Sequence, residues 1–218
     1  MVSPKVALIA GASGLVGGQC LHLLLNSPRY NRVISVGRVT LPIRHPKLQQ
    51  LVVDFDHLEK HSLMADDVYC CLGTTIKKAG SKEKFYQVDY TYVVKLAKLT
   101  ASHFASQFLV VSALGADAHS RIFYNRVKGE MEEAVKALPF TSVHIFQPSL
   151  LLGERQEFRL GEKVASALMK WVGFIFSGPL RKYKGIPAKA VAKAMLEAAK
   201  QDGGGVLVHS SEQMQEFA

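Results

Sequence analysis

Apolar positions along the chain fall into short continuous runs separated by longer stretches of helical spacing. The runs Val6–Ala10, Val33–Val36, Leu51–Val53, Asp67–Leu72, Phe108–Val111 and Val143–Phe146 predict strands. Helical spacing predicts helices over Gly14–Leu25, Lys82–Ser102 and Ile122–Ala137, the first of them stopped by Asn26-Ser27-Pro28. Further on, helices are predicted over Glu162–Val172 and Ala188–Lys200, and a last short strand, Val206–His209, behind Gly203-Gly204-Gly205. Strands apolar on both faces, alternating with helices, mean a parallel sheet covered on both sides. Right-handed crossovers make that sheet doubly wound, in the α/β class. No repeat or low-complexity linker interrupts the pattern. The 218 residues therefore predict a single domain, 1–218, with a small C-terminal lobe drawn mainly from residues 150–186.

The first strand runs directly into Gly11-Ala12-Ser13-Gly14-Leu15-Val16-Gly17, a G-x-x-G-x-x-G pattern that opens a helix. Its first glycine permits a tight turn, its second lets backbone N–H groups approach a pyrophosphate, and its third lets helix pack closely on strand. The helix N-terminus adds partial positive charge. A glycine triplet alone is weak, but its place between a buried strand and an amphipathic helix marks a Rossmann-type dinucleotide site.

The end of the second strand refines that expectation. An NAD site places a carboxylate there for the ribose 2′-OH, whereas this chain reads Ser35-Val36-Gly37-Arg38 and has no Asp or Glu before Asp54. Arg38 is suited to a 2′-phosphate, to which a guanidinium donates two parallel bonds. NADP(H) is therefore favoured over NAD(H). Asp54 and Phe55 follow the third strand, where an adenine ring would lie against the chain. Leu72, Gly73 and Thr74 close the fourth strand at the switch point of the sheet, where a glycine lets the cofactor ribose come close.

After the fifth strand, Tyr124 and Lys128 lie four residues apart on one face of a helix, and Ser112 ends the strand itself. A phenol with a pKa near ~10 is a poor acid-base group at neutral pH unless its anion is favoured. The Lys128 ammonium and a nicotinamide's charge are expected to lower that pKa, with Ser112 orienting a substrate carbonyl or hydroxyl.

On these residues the chain resembles the short-chain dehydrogenase/reductase superfamily, in its atypical branch, and within it the Tat-interacting-protein type of oxidoreductase. The resemblance rests on Gly11-Ala12-Ser13-Gly14, Val111-Ser112-Ala113-Leu114-Gly115-Ala116, and Tyr124 with Lys128-Gly129-Glu130. It continues through Gln147-Pro148-Ser149 and Gly153-Glu154-Arg155-Gln156-Glu157. It implies a nicotinamide cofactor bordered by Lys128 and Pro148 as well as the glycine turn, and Ser112, Tyr124 and Lys128 as the catalytic set. Two features depart from the family. Asp89 stands where an asparagine often supports a proton relay, and the segment left for a substrate lobe is short. Arg155 and Glu157 are candidates to shape that lobe.

Composition and charge narrow the partners. The net charge is +9, and residues 1–50 hold six Lys or Arg and no acid, so the excess is expected to overlap the phosphate site. No basic run exceeds two residues, which argues against a specific nucleic-acid partner. Val164 to Leu180 is broken by Lys170, Gly173, Ser177 and Pro179 and falls short of the about 20 apolar residues a membrane span needs. Three cysteines, two of them adjacent, do not make a disulfide framework and suit a reducing, cytoplasmic setting. His57 and His61 have metal-like spacing but no evident third ligand, so no metal is expected. The Trp171–Phe176 stretch reads as core or as a contact with a second copy or another protein.

The expected function is NADP(H)-dependent oxidation or reduction of a small carbonyl or alcohol substrate. The alternative is a non-catalytic NADP(H)-binding protein that reports redox state to a partner, which Asp89 and the short lobe favour. An isomerase or dehydratase using the cofactor transiently is a third reading.

Overall fold

The computed structural model describes residues 4–153, 184–201 and 203–218. The first apolar run becomes β1 (Lys5–Ala10), flanked in parallel by β2 (Tyr30–Gly37) and β4 (Asp67–Cys70). β3 (Leu48–Val52) lies outside β2, and β5 (Gln107–Val111) and β6 (Ser142–Gln147) continue beyond β4. Leu151–Leu152 (β7) and Ile186–Pro187 (β8) form a separate parallel pair, and β9 (Gly205–Ser210) joins β6. The main sheet has seven strands in the order β3-β2-β1-β4-β5-β6-β9. Winding reverses between β1 and β4, as the doubly wound reading predicts.

Two-residue alternation along β1 builds both halves of the core. Ala7 and Ile9 face one side, where α1 (Leu15–Asn26) contributes Cys20, Leu21 and Leu24 and α6 (Ala188–Ala198) contributes Val191 and Met195. Leu8 and Ala10 face the other side. There α4 (Tyr92–Ser102) brings Val93, Leu96 and Ala97, and α5 (Phe123–Lys136) brings Met131 and Val135.

Several predicted bounds shift. β3 begins at Leu48 because Gln49 and Gln50 belong to a half-exposed edge strand, which has no continuous apolar run to announce it. β4 ends at Cys70, although the Cys71 N–H still donates to the Ala10 carbonyl at 2.9 Å. The helix predicted as continuous over Lys82–Ser102 is divided. After the short α2 (Ile76–Ala79), α3 (Lys82–Tyr86) leads into a π turn, Gln87–Thr91, before α4. Such a turn places one residue more than an α-helix would and re-aims what it carries. Here it carries Asp89, which is 1% exposed. The predicted helix Glu162–Val172, the Trp171–Phe176 stretch, Arg155, Glu157 and most of the predicted lobe lie outside the described residues.

The basic N-terminal fifty residues do not all serve one site, contrary to the expectation from charge. Lys5 and Arg29 sit at the amino edge of the sheet and pair with the buried Asp67 at 3.3 and 3.2 Å. The Tyr30 hydroxyl donates to Asp67 at 2.7 Å and lies 2.7 Å from the Tyr69 hydroxyl. Lys47 donates to the Ser27 carbonyl at 2.8 Å. These cations balance a buried carboxylate or cap the chain, at the edge opposite the glycine turn.

Candidate functional site

At the carboxyl edge of β1 the backbone turns at Gly11 with φ +83°, and the Gly14 N–H closes the turn on the Gly11 carbonyl at 2.9 Å. A Cβ on Gly11 would lie 2.4 Å from the Cys71 carbonyl oxygen, and one on Gly17 would lie 2.1 Å from that of Gly11. Only glycine allows this approach of turn, helix and β4. Gly14 is the N-cap of α1 without a side-chain cap, and the first turn carries no acid. Its N–H groups are thus left for an external acceptor, with Ser13 and Gly14 exposed beside them. Ala12 and Val16 are buried, and Leu15 is half-buried, so these positions offer backbone rather than side chain. Cradle, open helix terminus and absence of nearby acid fit a pyrophosphate.

Arg38 is exposed just beyond Gly37, the last residue of β2. Asp54 caps the 3-10 turn Phe55–Lys60, accepting from the Asp56 N–H at 2.9 Å. The Phe55 ring is buried and packs against Tyr92 with centroids 5.3 Å apart, so this position presents backbone to the surface. Leu72 and Thr74 are half-buried and Gly73 is exposed. Pro148 is buried, and its carbonyl accepts from the Leu114 N–H at 2.9 Å.

Beneath Gly73 lies the tightest electrostatic contact of this edge. Lys128 Nζ stands 2.8 Å from Asp89 Oδ1, with side chains 5% and 1% exposed. Asp89 Oδ2 accepts from the Thr74 N–H at 2.8 Å. A Cβ on Gly73 would come within 3.3 Å of Asp89 Oδ1 and 3.8 Å of Lys128 Nζ, so the glycine leaves the pair approachable from the cleft. Burial works against the Lys128 charge, but Asp89, with Tyr124 and Cys70, outweighs it and holds the ammonium above its ordinary pKa. Tyr124, one turn earlier on α5, has its ring centroid 5.5 Å from that of Phe85. Its pKa in the protein alone is raised, opposite to the direction expected from Lys128. Burial raises it, Lys128 lowers it, and Asp89 raises it again. The carboxylate that keeps Lys128 charged also offsets its pull on the phenol.

Ser112, 5% exposed, continues β5, and its N–H donates to the Phe146 carbonyl at 2.7 Å. Its hydroxyl donates to the carboxylate of Glu132, which also accepts from Gln147 Nε2 at 3.0 and 3.1 Å. Glu132 is not singled out by the sequence reading, and Gln147 enters it only as part of the Gln147-Pro148-Ser149 motif, with no role assigned. The usable signal is a carboxylate on the buried face of α5, at the same four-residue spacing from Lys128 as Lys128 has from Tyr124.

A parallel sheet reversing its winding beside a glycine cradle, with a lysine and tyrosine one turn apart across the same cleft, defines an NAD(P)-binding Rossmann protein of the short-chain dehydrogenase/reductase kind. The chain is 36% identical over 207 residues to Protein HTATIP2 of Rattus norvegicus, covering 92% of this chain and 84% of that protein. It is 33% identical over 208 residues to the mitochondrial protein FMP52 of Candida albicans, covering 91% and 90%. The chain belongs to the HTATIP2/FMP52-like family of atypical short-chain dehydrogenases/reductases. No family-wide sequence model matches it.

Among solved structures, the fold resembles UDP-N-acetylglucosamine 4-epimerase from Methanobrevibacter ruminantium, with a TM-score of 0.70 and 16% identity over 95% of this chain and 76% of that one. It also resembles UDP-glucuronic acid 4-epimerase from Bacillus cereus in complex with NAD, with a TM-score of 0.67, 14% identity, and coverage of 95% and 78%. These likenesses concern the fold. Among the described residues no helix is long and apolar enough to cross a membrane.

Proposed function

We propose that the chain is an NADP(H)-dependent oxidoreductase acting on a small carbonyl or alcohol through Ser112, Tyr124 and Lys128. The observation that carries this reading is the buried Lys128–Asp89 pair opening at Gly73 onto the glycine turn, with Tyr124 one helical turn away.

A nicotinamide cofactor bound along this edge supplies or takes up the hydride. The backbone from Gly11 to Gly17 and the N-terminus of α1 hold its pyrophosphate, and Arg38 pairs with the 2′-phosphate. Asp54 and the Phe55 backbone border the adenine, while Leu72, Gly73, Thr74 and Pro148 border the ribose and nicotinamide. Lys128 donates to the nicotinamide ribose and lowers the cost of a phenolate on Tyr124. In reduction Tyr124 hands its proton to the substrate oxygen. In the protein alone the phenol pKa is raised, so donation relies on Lys128 and the charge of the bound cofactor to favour the phenolate left behind.

Turnover of NADPH across a panel of aldehydes and ketones tests the reading, with Tyr124→Phe as the control. That substitution removes only the transferable proton, a loss of ~10² or more in rate, with NADPH affinity kept within a few-fold. Wild-type turnover in the Phe variant would remove Tyr124 from the chemistry. NADPH binding with no turnover of any panel member would favour the redox-sensing alternative. A cytoplasmic location is part of this proposal. Because the FMP52 relatives are called mitochondrial, cell fractionation of the native protein is the check.

A further inference from the structure

We infer that Glu132 is a positioning residue that sets the hydrogen-bonding polarity of Ser112, so that Ser112 offers the cleft an acceptor and matches a substrate hydroxyl rather than a carbonyl oxygen. A serine hydroxyl has one proton and two lone pairs. In this chain the proton is directed onto Glu132 Oε1. Gln147 Nε2 donates to both oxygens of the same carboxylate, at 3.0 and 3.1 Å. Every partner drawn to Glu132 is therefore a donor.

Glu132 is itself almost wholly buried, at 4% exposed. Glu132 and Gln147 also line a half-open pocket of about 520 Å³ with Asp117, His119 and Lys136. That volume is large enough to admit water to the polar rim. Ser112 is thus held from behind, with only lone pairs to present. A carbonyl meeting them finds no donor at Ser112 and depends on Tyr124 alone. An alcohol oxygen meets both groups, accepting from one and donating to the other. The site is built to bind the alcohol form of its substrate more tightly than the carbonyl form. The preference for an alcohol rests on the oxidoreductase reading, whereas the Ser112–Glu132 arrangement does not.

Glu132→Gln tests the polarity directly. Its carbonyl oxygen would turn to the Gln147 amide, leaving its own N–H group against Ser112 and freeing the serine proton for the cleft. Isotope-edited infrared difference spectra of wild type minus Glu132→Gln are expected to show an ionised carboxylate band at neutral pH. That band should move in Ser112→Ala. A protonated carboxyl band, or a carboxylate band indifferent to Ser112→Ala, overturns the inference. This measurement needs no substrate, and melting curves of both variants verify that they fold.

With an alcohol–carbonyl pair that wild type interconverts, KM for the alcohol should rise about tenfold in Glu132→Gln while KM for the carbonyl does not rise. Equal losses for both forms would make Glu132 a structural residue and overturn the inference. If wild type interconverts no pair, the oxidoreductase reading fails, and the infrared result still decides where the serine proton lies.

Discussion

Asp89 Oδ1 lies 2.8 Å from Lys128 Nζ in a region where both side chains are almost wholly buried. Breaking such a pair from one side strands a charge. Asp89→Ala is expected to lower unfolding stability by about 3–5 kcal/mol, and Asp89→Ala combined with Lys128→Met to recover much of it. Urea denaturation of the single and double variants measures both. Asp89→Asn keeps an acceptor for the Thr74 N–H but removes the negative charge that raises the Tyr124 pKa. The phenol should then titrate lower than in wild type, as followed by NMR of ring-labelled tyrosine. An unmoved Tyr124 resonance would mean that the two groups do not communicate.

Cofactor choice is expected to depend on Arg38. Arg38→Ala should weaken NADPH roughly tenfold to a hundredfold, the loss of a charge-assisted pair of bonds, and leave NADH nearly unchanged. Because the arginine is exposed, the wild-type preference for NADPH should also fall as salt rises. Calorimetric titration of both cofactors into both proteins reads the outcome. Equal losses would make Arg38 a surface residue with no part in selection.

At the opposite edge of the sheet, Tyr30→Phe removes a hydroxyl that donates to Asp67 at 2.7 Å and meets the Tyr69 hydroxyl at the same distance. Two buried polar groups lose a partner, so stability should drop by about 1–3 kcal/mol. NADPH affinity should stay as in wild type, because the network lies away from the glycine turn. A change in affinity larger than two- or threefold (on the order of 0.5 kcal/mol) would show that the two edges are coupled.

His144 gives an acid-side prediction. It is fully buried, with Nδ1 3.0 Å from Nε2 of His209. Burial, then His209, push its pKa from the ordinary 6.5 to about 4, against a smaller opposing pull from Asp67. His209 is lowered by burial as well. The folded protein thus keeps His144 neutral where the unfolded chain protonates it. Stability is full above about pH 6.5 and declines toward pH 4, by up to about 3 kcal/mol from this residue. Urea titrations across that range should show a shallower acid limb in His144→Asn, whatever its absolute stability. An unchanged slope would assign the limb to other groups.

Much of the architecture is legible because it is local. The run at Val6–Ala10, the glycines that follow and the apolar spacing to Leu25 sit within one short segment, and each decides its own backbone. Tyr124 and Lys128 are legible for the same reason, being neighbours on one helix. What escapes the sequence is pairing across elements. Asp89 stands out as a departure from the family pattern, but that it binds Lys128 depends on how the π turn meets α5. Glu132 and Gln147 are invisible as partners of Ser112, since Glu132 lies 20 residues from the serine along the chain and Gln147 a further 15 beyond Glu132. The π turn escapes because apolar spacing tolerates one extra residue without losing its period over the next turns. Phe55 shows the converse: a position adjacent to the candidate site carries a side chain that belongs to the core.

The π turn at Gln87–Thr91 gives this site a vulnerability of an unusual kind. An α-helix advances about 100° per residue. Deleting one residue between Tyr86 and Asp89 would let the helix run on unbroken, with Asp89, Tyr124 and Lys128 all still in the chain. Asp89 would nevertheless swing by about that angle away from Lys128. The ionic centre is therefore written partly in spacing rather than in residue identity. Among relatives, a gap in the alignment at this turn would signal a lost ion pair as surely as replacement of the aspartate itself.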